Sequence, residues 1–234
     1  MFEEKLLVSD MYTTVKSSGS DLGVPVFCLR LHGTNFKDVN EAYPKTQLSG
    51  QKVVMSLDEV LKGISALKAQ KLNWLITGGE ALLQEKALLK LIEKYQDLYG
   101  RKPYIFLETN GLIQPIPRMD EVMDEYLVNL KLSNSMSGAK NATYGSRIKE
   151  GVVRAFVDSP KAQFVFDIGN SGDITEVLEL VRLFNIPKER VYLRPKTLNR
   201  ELHASYIAEL WEAVKTQEFK LTPRLDLLVF KKVL

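Results

Sequence analysis

The sequence has one cysteine in 234 residues, Cys28. No disulfide can close within the chain, which reads as intracellular. No site that needs three or four of its own thiolates, such as a zinc ribbon or an iron–sulfur cluster, can be built from it. Cys28 stands in the apolar run Val24–Leu31 and is expected to pack there as a small buried hydrophobe. Long hydrophobic runs are missing too. None approaches the roughly 18 residues of a membrane span, and the first residues open on acids rather than on an apolar signal segment. Gly 14 and Pro 9 are too few for a low-complexity or collagenous chain. Neither sign of charge dominates: 32 basic and 29 acidic residues leave +3, weak support for a nucleic-acid partner.

Histidine is scarce as well, with His32 and His203 only. His32 near Arg30, Asp38 and Glu41 matches no standard ligand spacing, so no metal site is expected. His203 falls on a helical stretch and is expected to be solvated. There is no Gly-x-Ser-x-Gly elbow, Walker A loop or dinucleotide fingerprint. The sequon Asn141-Ala142-Thr143 carries meaning only with secretion, for which the sequence offers no signal segment.

What is present is a hydrophobic share of 45%, enough to bury a core, without a linker or internal repeat to split residues 1–234. Short apolar runs alternate with longer amphipathic ones. Strands are expected at 24–31, 72–77, 104–108, 127–132, 163–168, 191–193 and 225–230. Ser56-Leu57-Asp58-Glu59 is a capping box that opens a helix to about Gln70. Further helices are expected at 81–99, ended by Gly100, at 144–157, from an Asp173 cap to Phe184, and at 199–216. Strands alternating with helices of this length give βα units and a mainly parallel sheet. The fold class is therefore α/β, a partial, open TIM-like barrel in one domain, with its chemistry at the C-terminal strand ends.

Polar residues gather at those ends. Thr77-Gly78-Gly79-Glu80 follows a strand and precedes a helix. Its glycines allow close backbone approach and its Glu suits an amine ligand or simply the helix start. Glu108-Thr109-Asn110-Gly111 has the same placement. Lys131-Leu132-Ser133-Asn134-Ser135 closes another strand.

Taken in order, VPVFCLRLHGTN, LITGGEALLQ, FLETNGL, NLKLSNS, VYLRPKTLNRE and TPRLDLLVF resemble the 7-carboxy-7-deazaguanine synthases, radical S-adenosylmethionine enzymes, over nearly the whole chain. The resemblance implies a radical-SAM-type partial β/α barrel, usually homodimeric. It also implies rearrangement of 6-carboxy-tetrahydropterin to a 7-deazaguanine, on the route to queuosine or archaeosine in tRNA and to modified DNA, phage DNA included. Its cofactors would be a 4Fe–4S cluster, S-adenosylmethionine and Mg2+. Arg30, Glu108, Thr109 and Lys16 would belong to the substrate pocket. Gly78, Gly79, Glu80, Ser133 and Asn134 would line the S-adenosylmethionine groove.

The chain departs from that pattern where the chemistry starts. The family's C-x3-C-x2-C loop falls on Thr34, Asp38 and Glu41, and Cys28 lies in the preceding strand. The family's Gln-Gly-Glu-Gly is Lys16-Ser17-Ser18-Gly19, the Pro after Gly-Gly-Glu is Ala81, and Met-Pro-Glu-Gly is Arg194-Pro195-Lys196-Thr197. The expectation is a non-catalytic relative, without cluster or catalytic residues and with at most weak S-adenosylmethionine binding. It would be reused for binding or for a regulatory or assembly role with a protein partner, in a phage setting or elsewhere. If Lys16, Arg194 and Lys196 converge, the mouth becomes basic and a phosphorylated or nucleic-acid ligand fits. The alternative is an enzyme with non-radical acid–base chemistry on a pterin or purine, using Glu80, Glu108 and Arg30.

Overall fold

A computed structural model of the chain describes residues 4–36, 52–136, 143–197 and 199–229. Asp38, Glu41 and the Asn141-Ala142 pair lie outside the described residues. The strands are β1 (Lys5–Val15), β2 (Pro25–Leu31), β3 (Val53–Ser56), β4 (Asn73–Gly78), β5 (Ile105–Thr109), β6 (Glu125–Asn129), β7 (Ala162–Ile168), β8 (Val191–Pro195) and β9 (Lys220–Leu221). They form one nine-stranded sheet in the order β3-β1-β2-β4-β5-β6-β7-β8-β9. From β2 to β9 every pairing is parallel. β1 runs antiparallel to both β2 and β3. The sheet ends on β3 at one side and β9 at the other, so the barrel stays open.

Alternation along each strand divides the apolar residues between two layers. Phe27, Leu29 and Leu31 of β2 join the large core between sheet and helices, where Trp74 meets Phe27 and Tyr95 edge-on at centroid distances of 5.8 and 4.8 Å. Val26 and Cys28 turn the other way and pack with Leu75 and Phe106. Leu127, Val165 and Tyr192 continue that inner layer on β6, β7 and β8. Cys28 is buried with a free thiol, as expected.

The helices are α1 (Leu57–Ala66), α2 (Glu85–Tyr99), α3 (Pro117–Val122), α4 (Tyr144–Arg147), α5 (Glu150–Asp158), α6 (Ser171–Phe184), α7 (Arg200–Gln217) and α8 (Leu225–Val229). The Ser56–Glu59 capping box is formed in both directions. Gly100 ends α2 in the left-handed region, with φ 68°. Among the described residues, no helix is long and apolar enough to cross a membrane.

Several expectations need correction. The strand expected at 225–230 is the short helix α8, and the last strand is β9, paired with β8. A short apolar run does not tell a strand from a buried turn of helix. His203 is fully buried rather than solvated: its Nε2 accepts the Arg224 backbone N–H at 3.0 Å. α6 starts earlier than an Asp173 cap implies. Asn170 is the cap, and Asp173 sits three residues on with its carboxylate on the Gly169 and Asn170 N–H groups. The helix expected at 144–157 breaks into α4 and α5 around the extended Ile148 and Lys149. α1 stops at Ala66 rather than near Gln70. β1, the longest strand, had no counterpart in the sequence pattern, because a register shift between Val8 and Asp10 breaks its alternation.

Candidate functional site

The C-terminal ends of β2 and β4 to β8 surround a cavity of about 320 Å³. The cause is the two-residue period of the strands. One step beyond the inner apolar layer, each strand turns a polar side chain inward: Arg30, Thr77, Glu108, Asn129, Asp167 and Arg194. All of these except Asp167 line the cavity directly, and Lys131 joins them. Leu127 and Val165 give the cavity an apolar surface, and Phe36 closes on it from the loop after β2.

This ring is cross-linked. Thr77 Oγ donates to Glu108. Asn129 Nδ2 donates to Asp167 Oδ2 at 2.9 Å. Arg194 grips Asp167 with two donors, Nε to Oδ1 at 2.6 Å and Nη2 to Oδ2 at 3.1 Å. Burial alone would raise the Asp167 carboxyl. The charge and hydrogen bonds of Arg194, with Lys131 and Asn129, outweigh it and hold the group well below the ordinary carboxylate range. Arg194 Nη1 also reaches Ser18 Oγ at 3.1 Å.

The three cations expected to make the mouth basic do not form a shared anion site. Lys16 lies at the floor of the barrel, 1% exposed, and does not line the cavity. Its ammonium pairs with Glu125 at 3.3 Å, donates to the carbonyls of Ser18 and Ser20, and sits 4.6 Å from the centre of the Phe106 ring. Arg194 is committed to Asp167. Lys196 Nζ donates to Asn134 Oδ1 at 2.9 Å.

Gly78, Gly79 and Glu80 prove to be tied to the backbone. Gly78 has φ +112°, and a Cβ there would lie 2.2 Å from the Leu31 carbonyl oxygen. A Cβ on Gly79 would lie 1.8 Å from the Gly33 carbonyl oxygen. The Gly79 and Glu80 N–H groups bond the carbonyls of Leu31 and Gly33 at 3.1 and 2.8 Å. Glu80 is fully buried, and its oxygens accept from Leu82 N–H, Thr109 Oγ and Asn110 N–H. Burial raises its carboxyl above the ordinary value against the pull of those hydrogen bonds. Such a group ties the turn after β4 to the turn after β5.

The sequence-predicted groove residues are not all brought together. Gly78 and Gly79 line the mouth cavity. Ser133 and Asn134 line a separate open groove of about 910 Å³ beside α6. Ser133 N–H and Oγ bond Glu176, and Asn134 Nδ2 bonds Asp173 at 2.8 Å. Arg30, Glu108 and Thr109 do share the cavity. The sequence reading missed Asn129, Asp167 and Phe36. Inward alternation on the strands expected at 127–132 and 163–168 was the available signal for the first two, and nothing local marked Phe36.

A three-thiolate cluster does not fit this donor set. The loop from Gly33 to Glu41 contains no cysteine, and Thr34 Oγ is taken up by the N–H and carbonyl of Phe36. Cys28 is sealed in the inner layer, where burial pushes its thiol up to about 12 although Tyr12 and Arg30 favour the thiolate. Among the described residues, no group of three or more His, Cys, Asp or Glu side chains is placed to hold a metal.

An open, mainly parallel β/α barrel with polar strand ends around one cavity is the radical-SAM-type architecture. A crystal structure of QueE from Escherichia coli has this fold, with a TM-score of 0.64 at 18% identity, covering 94% of this chain and 93% of that one. No protein-family model matches the chain. It is 31% identical to a 7-carboxy-7-deazaguanine synthase of Hyperthermus butylicus, over 96% of this chain and 92% of that protein. It is 28% identical to a namesake in Pyrobaculum aerophilum, over 97% and 95%. The chain belongs to the 7-carboxy-7-deazaguanine synthase family.

Proposed function

We propose that this family member has given up radical chemistry and keeps the barrel mouth as a binding pocket for one small heterocycle of the deazaguanine or pterin type. The observation that carries the reading is the pairing of a cavity of about 320 Å³, ringed by Arg30, Glu108, Thr109, Asn129 and Lys131, with a loop that has no thiolate to hold a cluster. A cavity of this size falls at the lower end of single-ligand sites. Binding of this kind suits a sensing, regulatory or assembly role. S-adenosylmethionine is expected to bind weakly at most, because Glu80 and Asn110 are already engaged by the chain itself.

The test has two arms. Anaerobic reconstitution with iron and sulfide is expected to leave the protein without stoichiometric iron; about four irons per chain would overturn the loss of radical chemistry. Thermal-shift titrations with 7-carboxy-7-deazaguanine, 6-carboxy-tetrahydropterin and S-adenosylmethionine are expected to show a clear shift with a heterocycle. Ligand at 100 times its Kd stabilises a fold by about 2.7 kcal/mol. No shift with any heterocycle at millimolar concentration would sink the binding reading.

The sharing of one cavity by Glu108 and Arg30 favours a second reading, non-radical acid–base catalysis. Turnover of a bound pterin or purine, abolished by Glu108→Ala, would establish it.

A further inference from the structure

We propose that His203 is an acid-sensitive latch for the segment 222–229: the neutral imidazole holds the segment on the barrel, and a proton on the ring releases it. The latch goes beyond the reading of the cavity and does not depend on what the cavity binds. Asn199 caps α7 through the Glu201 and Leu202 N–H groups, and the His203 N–H donates to its carbonyl at 3.0 Å, so a fixed helix start aims the ring. His203 is fully buried, and its Nε2 accepts the Arg224 backbone N–H at 3.0 Å. A ring nitrogen that accepts a hydrogen bond carries no proton. The proton of the neutral ring is therefore on Nδ1, a buried atom without a hydrogen-bond partner among the described residues.

A second proton has no place in this geometry. It would set an Nε2–H against the Arg224 N–H, donor against donor, and bury an imidazolium in the interior. Among the described residues, the charged groups that bear on the ring are Arg224 and Asp226. Arg224 repels an imidazolium. Asp226 attracts it, but its Oδ2 is held by Arg224 Nη2 at 3.1 Å. On α7 itself, Arg200 and Glu201 are exposed. Burial, together with Arg224, outweighs Asp226 and holds the ring below the ordinary histidine value. The neutral ring therefore contributes fully above about pH 6.5 and less as pH falls below it. The bond it gives up lies between two others that fasten the segment. Thr222 N–H donates to the Leu193 carbonyl at 3.0 Å, and Thr222 Oγ accepts the Gly19 N–H at 2.9 Å. Leu225 N–H donates to the Ser17 carbonyl at 3.0 Å. Ser18, between those anchors, accepts Arg194 Nη1 at 3.1 Å, and Arg194 lines the cavity. Release of the segment thus frees the turn at residues 17–19 beside the cavity wall.

The experiment is amide hydrogen exchange of the full chain, wild type and His203→Gln, at about pH 7.5 and about pH 5.5, on either side of the ordinary histidine value and corrected for intrinsic exchange rates. Gln carries an oxygen that can accept the Arg224 N–H and does not titrate. In wild type, the Gly19, Arg224 and Leu225 amides are expected to lose protection by about threefold or more at the lower pH, against a limit of about tenfold for one proton over that range. His203→Gln is expected to hold its protection at both. No pH-dependent loss in wild type overturns the latch. So does an equal loss in His203→Gln, which would assign the response to another group such as His32, the other histidine of the chain. If His203→Gln does not fold, nitrogen NMR of the wild-type ring decides. A proton on Nδ1 at neutral pH and a titration midpoint below about 6.5 are expected. A proton on Nε2, or a midpoint at or above that value, overturns the latch.

Discussion

The turn Gly78–Glu80 and the loop that begins at Gly33 lie against each other, yet only one of them matches the family's pattern. The turn is kept because the backbone needs it: Gly79 has no room for a Cβ beside the Gly33 carbonyl, and Glu80 satisfies donors from two loops. The loop keeps its glycine and none of the thiols. Nothing in the described fold calls for sulfur at Thr34, whose hydroxyl is used within its own turn. Packing alone therefore accounts for this motif beside the cavity, and its presence says little about cofactor binding. The residues at Lys16, Ser18 and Arg194 add a third pattern. They differ from the family's and are bonded to Glu125, to one another and to Asp167, so a buried polar network now fills that side of the barrel.

The largest effect is expected from Gly79→Ala. The added Cβ meets backbone, so the cost should be about 4 kcal/mol or loss of folded protein. A urea midpoint near that of wild type would break the packing account of the turn. Lys16→Met should cost about 3–4 kcal/mol, because it strands the buried Glu125 carboxylate, and it should leave ligand affinity unchanged. A variant that folds normally but loses ligand would return Lys16 to the pocket.

Arg194→Met should cost about 3 kcal/mol at pH 7, with a pH signature. The folded Asp167 carboxyl titrates below its unfolded value of about 3.9, so its contribution is present at neutral pH and fades as pH falls below about 4. Urea melts of wild type should therefore weaken on acidification more than those of Arg194→Met, and parallel curves would break the link. Glu80→Gln sets an amide NH2 against donors and should cost about 2 kcal/mol; titration calorimetry that showed lost ligand affinity without lost stability would contradict a purely architectural Glu80. Thr34→Ala should change denaturation free energy by only about 0.5 kcal/mol, the mark of a loop residue with local contacts.

Much of the architecture was legible because local signals agreed. The apolar runs of β2, β4, β5 and β7, the Ser56–Glu59 box and Gly100 all sit where period and capping rules put them. The site was legible in part. Arg30, Glu108 and Thr109 stand at strand ends and share the cavity, whereas Lys16 turns down to Glu125 and Ser133 and Asn134 face α6. Direction of this kind depends on pairing partners far away in sequence, which periodicity cannot report. His203 shows the same limit. A histidine on a polar-looking helix is buried because the Arg224 backbone folds back onto it.

By itself, the sequence determined that the chain is an α/β protein of repeated βα units and that it has no thiolate set for a cluster, since hydrophobic period and cysteine count are local properties. Only the tertiary structure decided that the glycines of the turn serve backbone contact, that the new cations are internally paired, and that Phe36 lines the cavity. Each of these depends on which distant strands and loops meet, because the charge of Arg194 or Lys16 is spent on whichever carboxylate the fold brings beside it.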